Sequence, residues 1–189
     1  MSLARLRVEG QLLELGADDL RFGFEETKTF FNQCTDLKLT TDEMTSIYRR
    51  TEGWAAGMRM AALSLDQKCE GVKAVVNTTG KLRHVADYFF EEVLVKQSND
   101  IQRFLLKTSI LERMNADVCE AVTHMPDASL LLRELERENL FLVSLDREGE
   151  WFRYHHLFKE FLYQQLQMRE LGQVKSLHEV AGQWFEKWL

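Results

Sequence analysis

Proline is almost missing from this sequence: Pro126 stands alone, and glycine occurs only ten times in 189 residues. Both residue types end helices, proline by removing a backbone donor and glycine by its entropy cost, so their scarcity points to a mainly helical chain. It also excludes collagen-like and low-complexity roles. Cysteine is scarce as well. Cys34, Cys69 and Cys119 are odd in number, far apart and without a CxxC pair, which argues against a disulfide framework and against a zinc site. Buried, reduced thiols are expected. Long apolar runs are lacking: a run such as Leu140 to Val143 falls far short of the roughly 20 residues that cross a bilayer. No apolar signal segment follows Met1. A cytoplasmic chain without membrane contact is therefore expected.

Positive charge is not in excess. Lys and Arg number 24 against 30 Asp and Glu, a formal charge of −6. Proteins that hold nucleic acid through phosphate contacts carry a basic face, so direct DNA binding by this chain starts as the minority reading. Catalytic signatures are missing too. Gly80-Lys81 has Val75 where a phosphate-cradling GxxxxGK[ST] loop needs its first glycine, and His178-Glu179 has Gly182 where HExxH needs its second histidine. GxSxG is absent. No enzymatic activity is expected of the chain by itself, and no catalytic residue is assigned.

What the sequence does contain is a series of helix signals. Acids follow Phe22-Gly23-Phe24, where the helix dipole favours them, and Phe24, Thr27, Phe30 and Phe31 form one face. Thr40 with Glu43 is a capping box leading into Met44, Ile47 and Tyr48. Gly53 interrupts, Trp54 to Leu65 continues as a helix, and Gln67 to Thr79 reads as a boundary region. A further helix follows through Leu82, Val85, Tyr88, Phe89 and Val93, and then Ser98, Asn115 and Ser129 are expected to cap three more. At Leu140 the period changes. Leu140 to Leu145 and Glu150 to His155 flank the polar turn Asp146-Arg147-Glu148-Gly149, which predicts a β-hairpin. Helix His156 to about Arg169 leads out of it. The expected fold is mainly α: a helical bundle followed by a winged-helix domain with a hairpin wing.

The ends read as those of an excised piece. Gln11 to Leu15 predicts a strand without a second strand near it, and the helix carrying Trp184 and Trp188 runs to Leu189 without a cap. A winged helix invites a DNA-binding function, with the helix Ser129 to Asn139 in the major groove. That helix carries Arg133, Glu134, Glu136, Arg137 and Glu138 and is net acidic, as is the wing turn. A protein-interaction scaffold working through the Trp184/Trp188 helix is a further alternative. His155 and His156 are the polar pair that stands out. His156 with Glu160 at i and i+4 supplies only two ligands, too few for a metal site, so no metal ligand is assigned.

Several blocks resemble one family. Leu3-Ala4-Arg5-Leu6-Arg7, Gln11-Leu12-Leu13-Glu14-Leu15, Asp19-Leu20-Arg21-Phe22 and Thr51-Glu52-Gly53-Trp54 with Ala61 to Leu65 are similar to the MalT-like, LuxR-type ATP-dependent transcriptional activators. So are Glu91 to Leu94, Phe104 to Leu111, Leu135 to Leu142 and Arg153-Tyr154-His155-His156-Leu157-Phe158. These activators belong to the STAND class of signal-transduction ATPases. The resemblance implies residues 1–20 as the last part of an NTPase sheet, 21–80 as a helical subdomain, 81–170 as the winged helix and 171–189 as the first helix of a superhelical repeat region. It implies ATP/ADP as cofactor of the full-length protein, with none bound by this piece alone. The NTPase core and sensor repeats would be partners, self-oligomerisation a property of the parent, and DNA a ligand only of a C-terminal helix-turn-helix elsewhere. Two sites carry over. Gly53-Trp54-Ala55 stands where the class has a Gly-x-Pro element against adenine, with Ala55 replacing the proline, and His155 stands where a winged-helix histidine reaches the β-phosphate of ADP, with His156 as second choice.

Overall fold

The computed structural model describes residues 3–13, 15–16, 18–35, 39–66 and 83–187. It opens with a short helix, α1 (Leu3–Val8), and a 3-10 turn at Asp18–Leu20. The strand expected over Gln11 to Leu15 is not formed: residues 11–13 and 15–16 carry no regular structure, and Leu13 is 83% exposed. An apolar pattern makes a strand only where a neighbour accepts its ladder, and among the described residues there is none here.

Three helices follow. In α2 (Phe24–Cys34) the Glu26 carboxylate accepts from the Gly23 N–H at 2.7 Å, and Thr27 and Phe31 are buried. The capping box predicted for α3 (Thr41–Thr51) is present: Thr40 N–H donates to Glu43 at 2.8 Å and Glu43 N–H to the Thr40 hydroxyl at 3.3 Å. The inner face of α4 (Ala55–Asp66) buries Met58, Ala61, Ala62 and Leu65. The boundary region Gln67 to Thr79 lies outside the described residues, as do Cys69 and Trp188. Of the other thiols Cys119 is buried as expected, whereas Cys34 is exposed, on the outer side of α2.

The predicted helix around Val85 and Phe89 is α5 (Arg83–Tyr88) continued by a π-helical turn, Phe89–Leu94. The widened turn lets two consecutive rings, Tyr88 and Phe89, meet the Trp54 indole. Ser98 and Asn115 cap α6 (Asn99–Thr108) and α7 (Ala116–Thr123), accepting from Ile101 and Val118. Ser129 is not a cap. The next helix, α8 (Ala128–Arg137), starts after Asp127, and the Glu120 carboxylate of α7 accepts from the Ala128 N–H at 3.2 Å. A neighbouring helix thus supplies the partner that sequence logic assigns to the local hydroxyl.

Strands β1 (Leu142–Ser144) and β2 (Phe152–Tyr154) pair antiparallel with Val143 opposite Arg153. Met114 joins them through two 2.8 Å bonds with the Phe152 backbone. The wing turn is fixed by Asp146, whose carboxylate accepts from the N–H groups of Glu150 and Trp151, both at 2.9 Å. Behind the hairpin, α9 (His156–Glu170) buries Leu157, Phe158, Phe161, Leu162 and Leu166. The last helix, α10 (Val174–Glu186), packs Leu177 and Ala181 toward α7. Trp184 is half-buried, with its ring 6.4 Å from that of Trp151. Residues of both halves share one apolar core, in which Phe31, Met44, Phe89, Phe104 and Phe158 all take part. Tyr154, also buried, shares a 2.7 Å hydroxyl contact with Thr108 that ties the wing to α6.

Candidate functional site

The end of α3 makes a sharp corner. Glu52 (φ 49°) and Gly53 (φ 70°) are successive left-handed residues. At Gly53 no side chain fits, because a Cβ would lie 2.2 Å from the Phe22 carbonyl oxygen. The close approach exists because the Phe22 N–H donates to the Gly53 carbonyl at 2.9 Å, lashing the segment before α2 to this corner. The corner projects Trp54 toward the other half of the chain. Its indole stacks on Phe89 at 5.7 Å and meets Phe141 and His155 edge-on at 5.1 and 5.8 Å.

His155 sits where β2 passes into α9. Its N–H donates to the Phe141 carbonyl at 2.8 Å, and the residue is 5% exposed. Nδ1 accepts from the Leu157 N–H at 3.3 Å, and Nε2 faces the Thr51 carbonyl at 3.1 Å. A carbonyl only accepts, so these partners assign the proton to Nε2. Burial, opposed by the nearby Glu52 charge, pushes the imidazole pKa down to about 4; at neutral pH the ring is uncharged.

Glu52 collects the polar groups around the corner. Arg153 donates to both carboxylate oxygens at 2.8 Å, the His156 N–H and Nδ1 reach Oε1 at 3.0 and 3.1 Å, and Arg21 approaches Oε2 at 3.5 Å. Burial by itself would raise the carboxyl pKa. The hydrogen bonds from His156 and Arg153 outweigh it and hold Glu52 well below the usual carboxylate range, while the same bond raises the pKa of His156 against a smaller burial effect. A second ion pair, Arg50 with Glu160, bridges α3 and α9 with an Nε to Oε1 distance of 3.2 Å.

Between these elements lies a cavity of about 450 Å³, within the range of small-molecule sites. Leu20, Trp54, Ala55, Phe141, Leu142 and Val143 form its apolar walls, and Arg21, Asn139 and His155 its polar ones. Of the residues the sequence singled out, Trp54, Ala55 and His155 come together here. Gly53 serves by turning the chain, and His156 turns away to Glu52. Arg21, Glu52, Asn139, Phe141 and Arg153 were missed. All five stand inside the family-like blocks, yet the pairing of Glu52 with Arg153, 101 residues away, leaves no local signal. Phe141 has φ 54°, an outlier for a bulky residue. Among the described residues no group of three or more His, Cys, Asp or Glu is placed to hold a metal ion, and no helix is long and apolar enough to cross a membrane.

Residues 90–174 match the model of the MalT winged helix domain. The chain is 34% identical over 191 aligned positions to the HTH-type transcriptional regulator MalT of Klebsiella pneumoniae (strain 342), and 33% identical to that of Cronobacter sakazakii (strain ATCC BAA-894). Each alignment covers 100% of this chain and 21% of the relative, so the chain spans about a fifth of the length of the curated relatives it matches. With three helices, a hairpin wing and an alignment that runs from end to end, the chain is similar to MalT throughout, and residues 90–174 match the winged helix domain of MalT.

Proposed function

We propose that this chain is the part of a LuxR-type, STAND-class transcriptional regulator that senses whether ATP or ADP is bound and passes that state on to oligomerisation. The single observation that carries the reading is the cavity in which Trp54 and Ala55 of one half meet His155 of the other. A ligand seated there touches both halves, and one that binds two arrangements unequally shifts their balance. The residues fit an adenine nucleotide: apolar and aromatic walls suit a base, and a guanidinium with an imidazole N–H suits an anion. Bound there, the nucleotide would supply a change of charge on exchange, and the chemistry of hydrolysis would belong to an NTPase core outside these residues. His155 would donate from Nε2, exchanging the Thr51 carbonyl for a phosphate oxygen. The neutral ring is suited to this, since the proton it presents is the one already on Nε2.

In this proposal residues 1–20 are the last part of the NTPase core, 21–80 form the helical subdomain and 171–189 start the sensor repeats. The protein acts in the cytoplasm, its DNA contacts are made by a separate helix-turn-helix domain, and this segment is not itself an enzyme. The test is His155→Ala in the regulator that contains the chain. ADP is expected to dissociate faster, by about tenfold for the loss of one hydrogen bond to a charged group, and basal transcription is expected to rise. Unchanged ADP affinity together with unchanged basal activity would overturn the proposal.

A further inference from the structure

We infer that a second cavity, at the joint between the wing and α10, binds a small organic carboxylate with a flat apolar body. This site lies apart from the nucleotide cavity and does not depend on that reading. It measures about 540 Å³, within the range of small-molecule sites. Leu111, Trp151, Trp184 and Phe185 supply most of its walls, which are apolar and largely aromatic. Arg113 sets the charge of the ligand. Its guanidinium carbon lies 5.2 Å from the centre of the Trp151 ring and 5.8 Å from that of Phe185, within reach of cation–π attraction from both. The two rings hold the group in place. Among the described residues no hydrogen bond or ion pair takes up its N–H donors.

The acid next to Arg113 in sequence does not quench it. Glu112 is turned to Lys159 of α9, whose Nζ lies 2.6 Å from Oε1, and His178, the other polar group of the lining, has its ring 6.5 Å from that of Tyr163. Arg113 is therefore the one permanent cation among the described residues of the lining. A guanidinium already held by rings presents its planar fork to a carboxylate through two parallel bonds, with little freedom left to lose. A single positive charge balances a single negative one. Gly182 makes room for the body of the ligand: a Cβ built there would meet nothing within 4 Å, so α10 leaves the cavity open along this stretch. A flat aromatic body gains ring contacts with the indole walls that an aliphatic chain does not. Because Trp151 precedes β2 and Phe185 belongs to α10, a ligand seated here would join the wing to the last helix.

Binding of indole-3-acetate and of its uncharged amide, indole-3-acetamide, is measured by titration calorimetry on the full-length regulator and on its Arg113→Gln, Arg113→Lys and Gly182→Leu variants. The regulator is expected to hold the acid at least about tenfold more tightly than the amide. Arg113→Gln is expected to abolish that preference and to leave the amide within about twofold. Arg113→Lys, which keeps the charge without the two-bond fork, is expected to fall between, and it carries the test if Arg113→Gln lowers the melting temperature. Gly182→Leu, whose side chain enters the open space on a helix that leucine favours, is expected to weaken both probes. Equal affinity for acid and amide, or a preference that survives Arg113→Gln, overturns the inference. So does binding that Gly182→Leu leaves unchanged, and so does the absence of binding by either probe at millimolar concentration. If sedimentation shows that Gly182→Leu alters assembly while probe binding stays the same, the surface belongs to a second copy of the chain and the carboxylate site is refuted.

Discussion

His155 and His156 are adjacent and chemically identical, and their surroundings push them in opposite directions. The ring of His155 is buried between Trp54 and Phe141, with its pKa pushed down to about 4, and that of His156 is raised by its bond to Glu52. For His155 the unfolded chain binds the proton first, so its effect on stability is absent near pH 7 and stability is lost as pH falls from about 6.5 toward 4. The shift from 6.5 to about 4 corresponds to about 3 kcal/mol at full extent. His156 has the reverse sign: its contribution is present below its unfolded pKa and disappears as pH rises through its raised folded value. An NMR titration of the imidazole protons should therefore show one of this pair titrating near 4 and the other above 6.5, and His155→Gln should remove the lower transition. Coincident titration of both rings near 6.5 would contradict the described burial. The sequence singled out this pair and ranked His155 first only through the family resemblance, because the partners that separate them, Thr51 and Glu52, lie about a hundred residues away.

Secondary elements were largely legible because their signals are local. The capping box at Thr40, the caps at Ser98 and Asn115 and the hairpin around Gly149 all lie within a few residues of what they determine. Misreadings occur where a distant partner decides. Gln11 to Leu15 has a strand's pattern and no neighbour, α8 is capped by Glu120 of α7, and the π-helical turn at Phe89 answers to Trp54. Gly53 shows the same dependence in energetic terms. Gly53→Ala would set a Cβ 2.2 Å from the Phe22 carbonyl oxygen at a residue with φ 70°, and neither backbone segment can yield cheaply. A loss of about 2 to 3 kcal/mol in urea unfolding is expected. A cost below about 0.5 kcal/mol would mean that the corner is not held as described. The winged helix permits a further expectation. The outer side of α8 and its C-cap expose Arg133, Glu136, Arg137 and Glu138, a mixed surface without net positive charge, and Asp146 of the wing turn is occupied in holding that turn. A gel-shift with this chain should show no binding to duplex DNA at moderate salt; tight binding that weakens as salt rises would restore the DNA-reading alternative.

The described residues form two helical units closed on each other by a common apolar core and by polar bridges that include Arg153 to Glu52 and Arg50 to Glu160. The arginines of these bridges are 26% and 15% exposed, so the cost of taking the charges out of water offsets much of their attraction, and the core supplies most of the adhesion. What the bridges add is direction, since they set the corner at Glu52 and Gly53 against the start of α9 and so shape the cavity. On the proposed function, the chain's net charge of −6 fits a segment that docks within its own protein and leaves nucleic acid to another domain. The central claim is that nucleotide state acts through this corner. Hydrogen–deuterium exchange on the full-length regulator, loaded with ADP and then with ATP, tests it most directly. The account predicts that Thr51 to Ala55 and Asn139 to Leu157 change protection together between the two states, with ADP the more protected; identical exchange in both segments would contradict it.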